Sequence, residues 1–293
     1  VTPCSALHLA EQGVTVRLLE AHTLGAGASG RNGGQLGSGQ RLDGETLVGW
    51  LGAERAAALW AAAEDAKALV KTRIAGFSSA RQAAVVYRAG VIEAAWRRSD
   101  ARALEREARL LADRFGYGGL EVLDASALAG RIGTSRYHGG VLDRGAGHLH
   151  PLNFLYGMAE AALAAGAFLH GKSPVTRAER QGQKWRGTTP RGDVEANHVV
   201  FACNGYLDWL HPRIAAKVVP INSFIAATPP LDTPPIPGGE AVADTRFVVN
   251  YFRQTPDGAL LFGGGEGYRS SPPRDIGAVV RRALREVYPE LAH

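Results

Sequence analysis

The opening twenty residues constrain the fold most. Ser5-Ala-Leu-His-Leu-Ala-Glu-Gln12 has helical character, and Gly13 suits the left-handed residue that closes a helix. Val14-Thr-Val-Arg-Leu-Leu-Glu20 then reads as a strand, apolar and β-branched, ending in an acid. Helix, strand and terminal carboxylate form the second part of a βαβ nucleotide-binding unit. There Glu20 accepts the hydroxyl hydrogens of an adenosine ribose, because ligands of parallel sheets sit beyond the carboxyl ends of the strands. The first strand and phosphate-binding turn of such a unit are expected before residue 5, yet Val1-Thr-Pro-Cys4 holds no glycine.

A glycine-rich loop from Ala21 to about Gln40 follows, with seven glycines in the fifteen positions from 25 to 39. Gly25-Ala-Gly27-Ala-Ser-Gly30 matches the G-x-G-x-x-G fingerprint literally. That fingerprint must open a helix, whereas Arg31-Asn-Gly-Gly-Gln35 continues the loop, so it is not read as the pyrophosphate turn. Glycine makes up 37 of 293 residues without a three-residue period, which excludes collagen. With 45% apolar and 21% charged residues the chain is not a disordered one. It has no run of ~18 apolar residues, so no membrane span is expected. Cys4 and Cys203 have neither disulfide-framework nor metal-ligand spacing, so no metal is expected and a reducing, cytoplasmic setting is. Of the 33 basic residues 28 are arginine, spread among acids without a basic run, which argues against nucleic-acid binding.

Further along, the patterns predict one or two helices over 45–75, a strand at 83–87, a helix at 92–115, a strand at 120–123 and a short helix at 125–130. A strand at 137–142 and a helix at 150–166 follow; Pro151 suits its first turn. Strands are expected at 167–170, 174–179, 183–189 and 193–203, a short helix at 205–211 and a long strand at 217–228. Five prolines make 229–239 a loop. Strands at 247–253 and 259–264 flank Pro256-Asp257-Gly258 as a hairpin, and a last helix covers 273–288. This is an α/β (α+β mixed) chain with two interleaved domains. His148 and His150 alternate, face one side of a strand and are read as structural. No Ser-His-Asp or paired-carboxylate constellation is found.

Leu7-His-Leu-Ala-Glu-Gln-Gly13, Leu18-Leu-Glu20-Ala and Leu24-Gly-Ala-Gly-Ala-Ser-Gly-Arg-Asn-Gly-Gly-Gln35 together resemble the FAD-dependent oxidoreductases of the D-amino-acid-oxidase superfamily, in its γ-glutamylputrescine oxidase-like branch. The resemblance continues through Tyr137–Asp143, Gly147–Pro151, Val199–Gly205 and Leu260–Gly265, and so covers nearly the whole chain. It implies a Rossmann-like FAD-binding domain over 1–80 and 145–213, interleaved with an antiparallel or mixed β-sheet substrate domain over 81–144 and 214–293. It places Ala28, Ser29, Arg31, Asn32, Gly33, Gly34 and Gln35 around the ribityl and pyrophosphate of FAD, where small residues let N–H groups approach an anion and Arg31 offsets its charge. Val175, on a strand, meets the adenine through its backbone. Ala202, Cys203, Asn204 and Gly205 end a strand near the adenosine diphosphate, and Cys203 itself is expected to be a buried small hydrophobe. Tyr251 and Arg253 lie on the substrate hairpin, Tyr251 over an amine and Arg253 on a carboxylate. The implied reaction oxidises a C–N bond by hydride transfer from a small-molecule amine to the flavin, with oxygen as the acceptor. By the family pattern the chain is expected to be truncated at both ends, and on that ground to hold FAD weakly or not at all. Two alternatives stand beside this reading: a non-catalytic fragment, and an oxidase of glycine, sarcosine or D-amino acids. The substrate and the oligomeric state stay open.

Overall fold

The computed structural model describes residues 2–268 and 273–291. From the amino end come α1 (Thr2–Glu11), β1 (Arg17–Leu19), β2 (Gln35–Leu36), α2 (Gly44–Leu51), α3 (Ala53–Ala75), α4 (Ser79–Val85) and β3 (Arg88–Ala94). Next are α5 (Arg98–Phe115), β4 (Leu120–Leu123), α6 (Ala125–Ile132), β5 (Gly140–His148), α7 (Pro151–Ala164), β6 (Phe168–His170), β7 (Arg177–Gln181), β8 (Lys184–Thr189) and β9 (Gly192–Ala196). The rest comprises α8 (Pro212–Ala215), β10 (Asn222–Pro230), β11 (Ala241–Asp244), β12 (Tyr251–Gln254), β13 (Ala259–Gly267) and α9 (Ile276–Val287). The fold is mixed α/β, as expected.

Two compact units share the chain. One comprises Val1–Asn32, Pro151–Asn222 and Gly267–Ser271; the other Gly33–His150, Ser223–Glu266 and Pro272–His293. These boundaries differ from the 80/81, 144/145 and 213/214 divisions read from the sequence. The pairing of β2 with β5 explains the first difference, because it ties the chain after Gly33 to the second unit.

In the first unit β1 pairs parallel with β6, Arg17 opposite Phe168 and Leu19 opposite His170. Helices α1 and α7 pack together, burying Leu7 and Met158. Gly13 ends α1 region with φ +76°, and Gly166, past α7, has φ +90°. A separate antiparallel sheet, β7-β8-β9, completes this unit.

The second unit is built on a sheet ordered β10-β13-β12-β11-β3-β5-β2, with β4 also on β5. Its core unites Ile92, Leu142, Val242, Phe252, Leu260, Phe262 and Tyr288, all of them 1% exposed or less. Phe252 and Phe262 stack with centroids 5.3 Å apart, and the Tyr288 hydroxyl donates to the Ile132 carbonyl at 2.5 Å.

Several expectations are corrected. Residues 79–85 are helical where a strand at 83–87 was predicted: Ser78 accepts the Arg81 N–H at 3.3 Å and caps α4, while Val86, at φ +49°, ends it. Short apolar runs fit a strand or a buried helix equally. The helix predicted from 92 starts only at Arg98, because Ile92 and Ala94 lie in β3, paired antiparallel with β5 and parallel with β11. Alanines suit that strand because the backbones are close: a Cβ on Gly140 would lie 2.5 Å from the Glu93 carbonyl oxygen. Strand β11 lies between the predicted 229–239 loop and the predicted 247–253 strand, where no element was expected, and β2 fell inside the glycine-rich loop.

Candidate active site

In the first unit the end of β1 is fixed by its neighbours. The Glu20 N–H donates to the His170 carbonyl and the Ser173 N–H to the Glu20 carbonyl, both at 2.8 Å. The carboxylate stands at the strand's carboxyl end, and its Oε1 accepts the His22 N–H at 2.9 Å. Burial, and after it the charge of Glu20, push the Cys203 thiol up. Cys203 is half-buried, not fully buried.

Between them runs the glycine-rich loop. Gly25 adopts φ +82°, and a Cβ on it would lie 2.4 Å from Leu152 of α7. A Cβ on Gly30 would lie 2.2 Å from the Gly25 carbonyl oxygen, so the loop folds back on itself too tightly for any side chain. The Arg31 N–H donates to Ala28 O, and the Asn32 amide donates to Ala28 O at 3.0 Å and Ser29 O at 3.1 Å. These bonds hold carbonyls inside the turns. The N–H groups of Gly27 and Ala28 meet no acceptor among the described residues, and Arg31 has no acidic partner among them. A Cβ on Gly27 would lie 3.3 Å from the Tyr206 ring, which brings the loop against the turn after Asn204. No helix follows Gly30 before Gly44, in keeping with the rejection of the literal fingerprint.

Two local corrections apply. Val175 is not on a strand; β7 begins at Arg177. Ala202 does not end a strand either, since β9 stops at Ala196, and Asn204-Gly205-Tyr206 form a 3₁₀ turn. Asn204 takes φ +49°, a left-handed conformation that asparagine tolerates better than most residues.

In the second unit Gly33, Gly34 and Gln35 come together with Tyr251 and Arg253. Tyr251 pairs directly with Gly263 across β12 and β13. Its ring fills the space that side chains on Gly33 and Gly263 would need: a Cβ on either would come within 2.8 Å and 2.1 Å of it. Its hydroxyl lies 3.5 Å from that of Ser223. The sequence reading passed over Gly263, although a glycine inside a strand is itself a sign of close approach. Arg253 is buried, and its Nε donates to the Gly33 carbonyl at 2.7 Å.

His148 is the other residue whose importance the sequence understated. It pairs with Gln35 on one side and Arg88 on the other, and is 2% exposed. Its Nε2 is 2.7 Å from the Gly239 carbonyl, so it carries the proton and donates, while Nδ1 is buried with no partner among the described residues. Burial, reinforced by Arg253 and Arg88 and opposed by Glu240, holds its pKa below the ordinary 6.5. The unfolded chain therefore binds more protons, and stability must fall as pH drops through the unfolded value near 6.5. Melting midpoints between pH 8 and pH 5 should show that fall, and His148→Gln should flatten it; equal slopes in both proteins would exclude His148 as the source. His150 titrates in the same direction, also through burial and Arg253, and keeps a residual slope in the variant.

Comparison with known proteins fixes the family. The model of the FAD dependent oxidoreductase family matches residues 4–293. The chain belongs to that family. A probable oxidoreductase OrdL of Rhizobium meliloti is 40% identical over 290 residues, covering 98% of this chain and 67% of the relative. The γ-glutamylputrescine oxidoreductase of Escherichia coli is 34% identical over 298 residues, with the same coverage. Among solved structures, glycine oxidase from Geobacillus kaustophilus superposes with a TM-score of 0.74 at 18% identity, over 99% of this chain and 75% of that one. This last likeness shows the fold. As a member of the FAD dependent oxidoreductase family the protein is an enzyme that uses FAD. No described helix is long and apolar enough to cross a membrane, and no described cluster of His, Cys, Asp and Glu could hold a metal.

Proposed function

We propose that this oxidoreductase oxidises the C–N bond of a small amine or amino-acid-like substrate, with oxygen as the final acceptor. The observation that carries the nucleotide half of this reading is in the first unit. Glu20 stands at the carboxyl end of β1, and the Gly25–Asn32 loop offers the N–H groups of Gly27 and Ala28, which meet no acceptor among the described residues, and Arg31, which has no acidic partner among them. These groups fit FAD: a carboxylate for ribose hydroxyls, and N–H donors with a cation for a diphosphate. Ala28, Ser29, Arg31 and Asn32 are assigned to the diphosphate. Val175 is assigned to the adenine, and Ala202, Asn204 and Gly205 to the adenosine side.

In the second unit Gly33, Gly34 and Gln35 continue that segment toward the flavin. Tyr251 is assigned to cover the amine, and Arg253 to supply positive charge for a substrate carboxylate. Bound there, FAD would supply a hydride acceptor for the carbon next to the nitrogen. Loss of that hydride would turn the neutral amine into an iminium ion, which one water would hydrolyse to a carbonyl compound and the released amine in its protonated form. The residues of the protein hold, orient and exclude water. The 34% identity with the γ-glutamylputrescine oxidoreductase supports an amine of that class, a diamine carrying an acyl group. A cytoplasmic setting is supported by Cys4 and Cys203, which are both free thiols.

Peroxide release tests the reading directly. γ-Glutamylated diamines, free diamines, glycine, sarcosine and D-amino acids would be supplied in turn to FAD-supplemented protein. Amine-dependent peroxide, highest with an acylated diamine, is expected. Peroxide with glycine or sarcosine alone would move the substrate assignment, and none with any amine would overturn the proposal.

A further inference from the structure

We propose that Arg253 is a positioning residue that clamps the exit of the glycine-rich segment, a role beyond the contact with a substrate carboxylate assigned above; its bearing on FAD rests on the nucleotide reading. Arg253 is 6% exposed. Its Nε donates to the Gly33 carbonyl at 2.7 Å and its Nη1 to the Gln254 carbonyl at 3.4 Å. No carboxylate pairs with it among the described residues. Arg88 from β3, His148 from β5 and His150 just after β5 feel its charge. A cation withdrawn from water without a counter-ion is costly to keep. Here it is spent on a backbone carbonyl of one particular peptide.

That peptide is gripped from a second direction. Tyr251 and Arg253 are two apart on β12, and so point to the same face. The Tyr251 ring lies against Gly33 so closely that a Cβ there would be 2.8 Å from it. The next residues are fixed as well. The Gly34 carbonyl accepts the Leu149 N–H at 2.9 Å, Gln35 Nε2 donates to the Val242 carbonyl at 2.8 Å, and Gln35 pairs with His148 across β2 and β5. Strands β5, β11 and β12 therefore hold three consecutive residues, and the Arg253 bond among these is a charged one. A segment held in this way meets a ligand already ordered. Lysine cannot replace the planar fork that reaches two carbonyls at once.

The test compares the parent chain with Arg253→Lys and Arg253→Met. Without FAD, backbone hydrogen exchange at residues 34–36 should quicken about ten-fold or more in both variants, while exchange in β3 and β13 stays as in the parent. With FAD, the dissociation constant should rise about ten- to a hundred-fold in both, and KM should rise for amines with and without a carboxylate. Unchanged exchange at 34–36, with KM rising only for carboxylate-bearing amines, would overturn the clamp and leave the substrate contact standing. A melting curve identifies a variant that has lost its fold, in which case the other carries the comparison. Failure of the parent itself to bind FAD would sink the nucleotide reading; the exchange result still decides the clamp.

Discussion

Gly30→Ala should cost the protein most of its affinity for FAD while leaving the two units folded. The added methyl would sit 2.2 Å from the Gly25 carbonyl oxygen and 3.0 Å from Leu152. The first of these is backbone, which cannot swing aside as a side-chain tip can. The turn must open, at a cost of about 1–3 kcal/mol for an overpacked site. If that strain falls on the loop geometry that receives the diphosphate, the dissociation constant rises about ten- to a hundred-fold. Gly37→Ala is the control, since a Cβ there meets nothing within 4 Å. Flavin fluorescence titration of the three proteins reads the effect. Equal affinity in all three would show that the compact turn at 25–30 plays no part in holding the cofactor.

The largest loss of stability is expected from Tyr288→Ala. Tyr288 is fully buried beneath the sheet of the second unit, edge-on to Phe252 with centroids 5.6 Å apart. Deleting a buried aromatic side chain removes its burial and leaves a cavity, about 3–5 kcal/mol. Against a total of about 5–15 kcal/mol for an ordinary domain, that brings the unit close to unfolding. Tyr288→Phe keeps the ring and loses only the bond to Ile132, for about 1 kcal/mol. Urea midpoints at constant slope separate the two. A loss below about 1 kcal/mol for the alanine variant would mean that this corner of the core relaxes to fill the hole.

What the sequence revealed follows from how local each signal was. Helix α1, Gly13 and the acid ending β1 depend on neighbours within a few residues, and all three could be read. So could the β12–β13 hairpin, whose turn places Gly258 at φ +88°. Strand β11 could not: Ala241–Asp244 is held between β12 and β3, the latter distant in sequence, and has no local alternation to announce it. The exchange of helix and strand around 79–97 has a related cause. Ala and Val suit either state there, and what decides is the burial of Ile92 and Ala94 between two strands.

The candidate site divides in the same way. The glycines at 25, 30 and 33 were visible as a cluster, but their separate duties were not. Gly30 makes room for a carbonyl, whereas Gly33 makes room for Tyr251, more than two hundred residues later in the chain. Arg253 was legible as a cation on the hairpin; its bond to Gly33 was not, because nothing in the spacing joins positions 33 and 253. His148 read as structural beside the Pro151 helix, and only the strand register sets it between Gln35 and Arg88.

Hydrogen–deuterium exchange of the full chain with and without saturating FAD puts the nucleotide assignment to the most direct test. Protection at residues 20–35, at Val175 and at 202–206 is the expected outcome, with α5 and α9 unchanged. FAD-dependent protection elsewhere, with exchange at Glu20 and through the 25–35 segment unaltered, would contradict it.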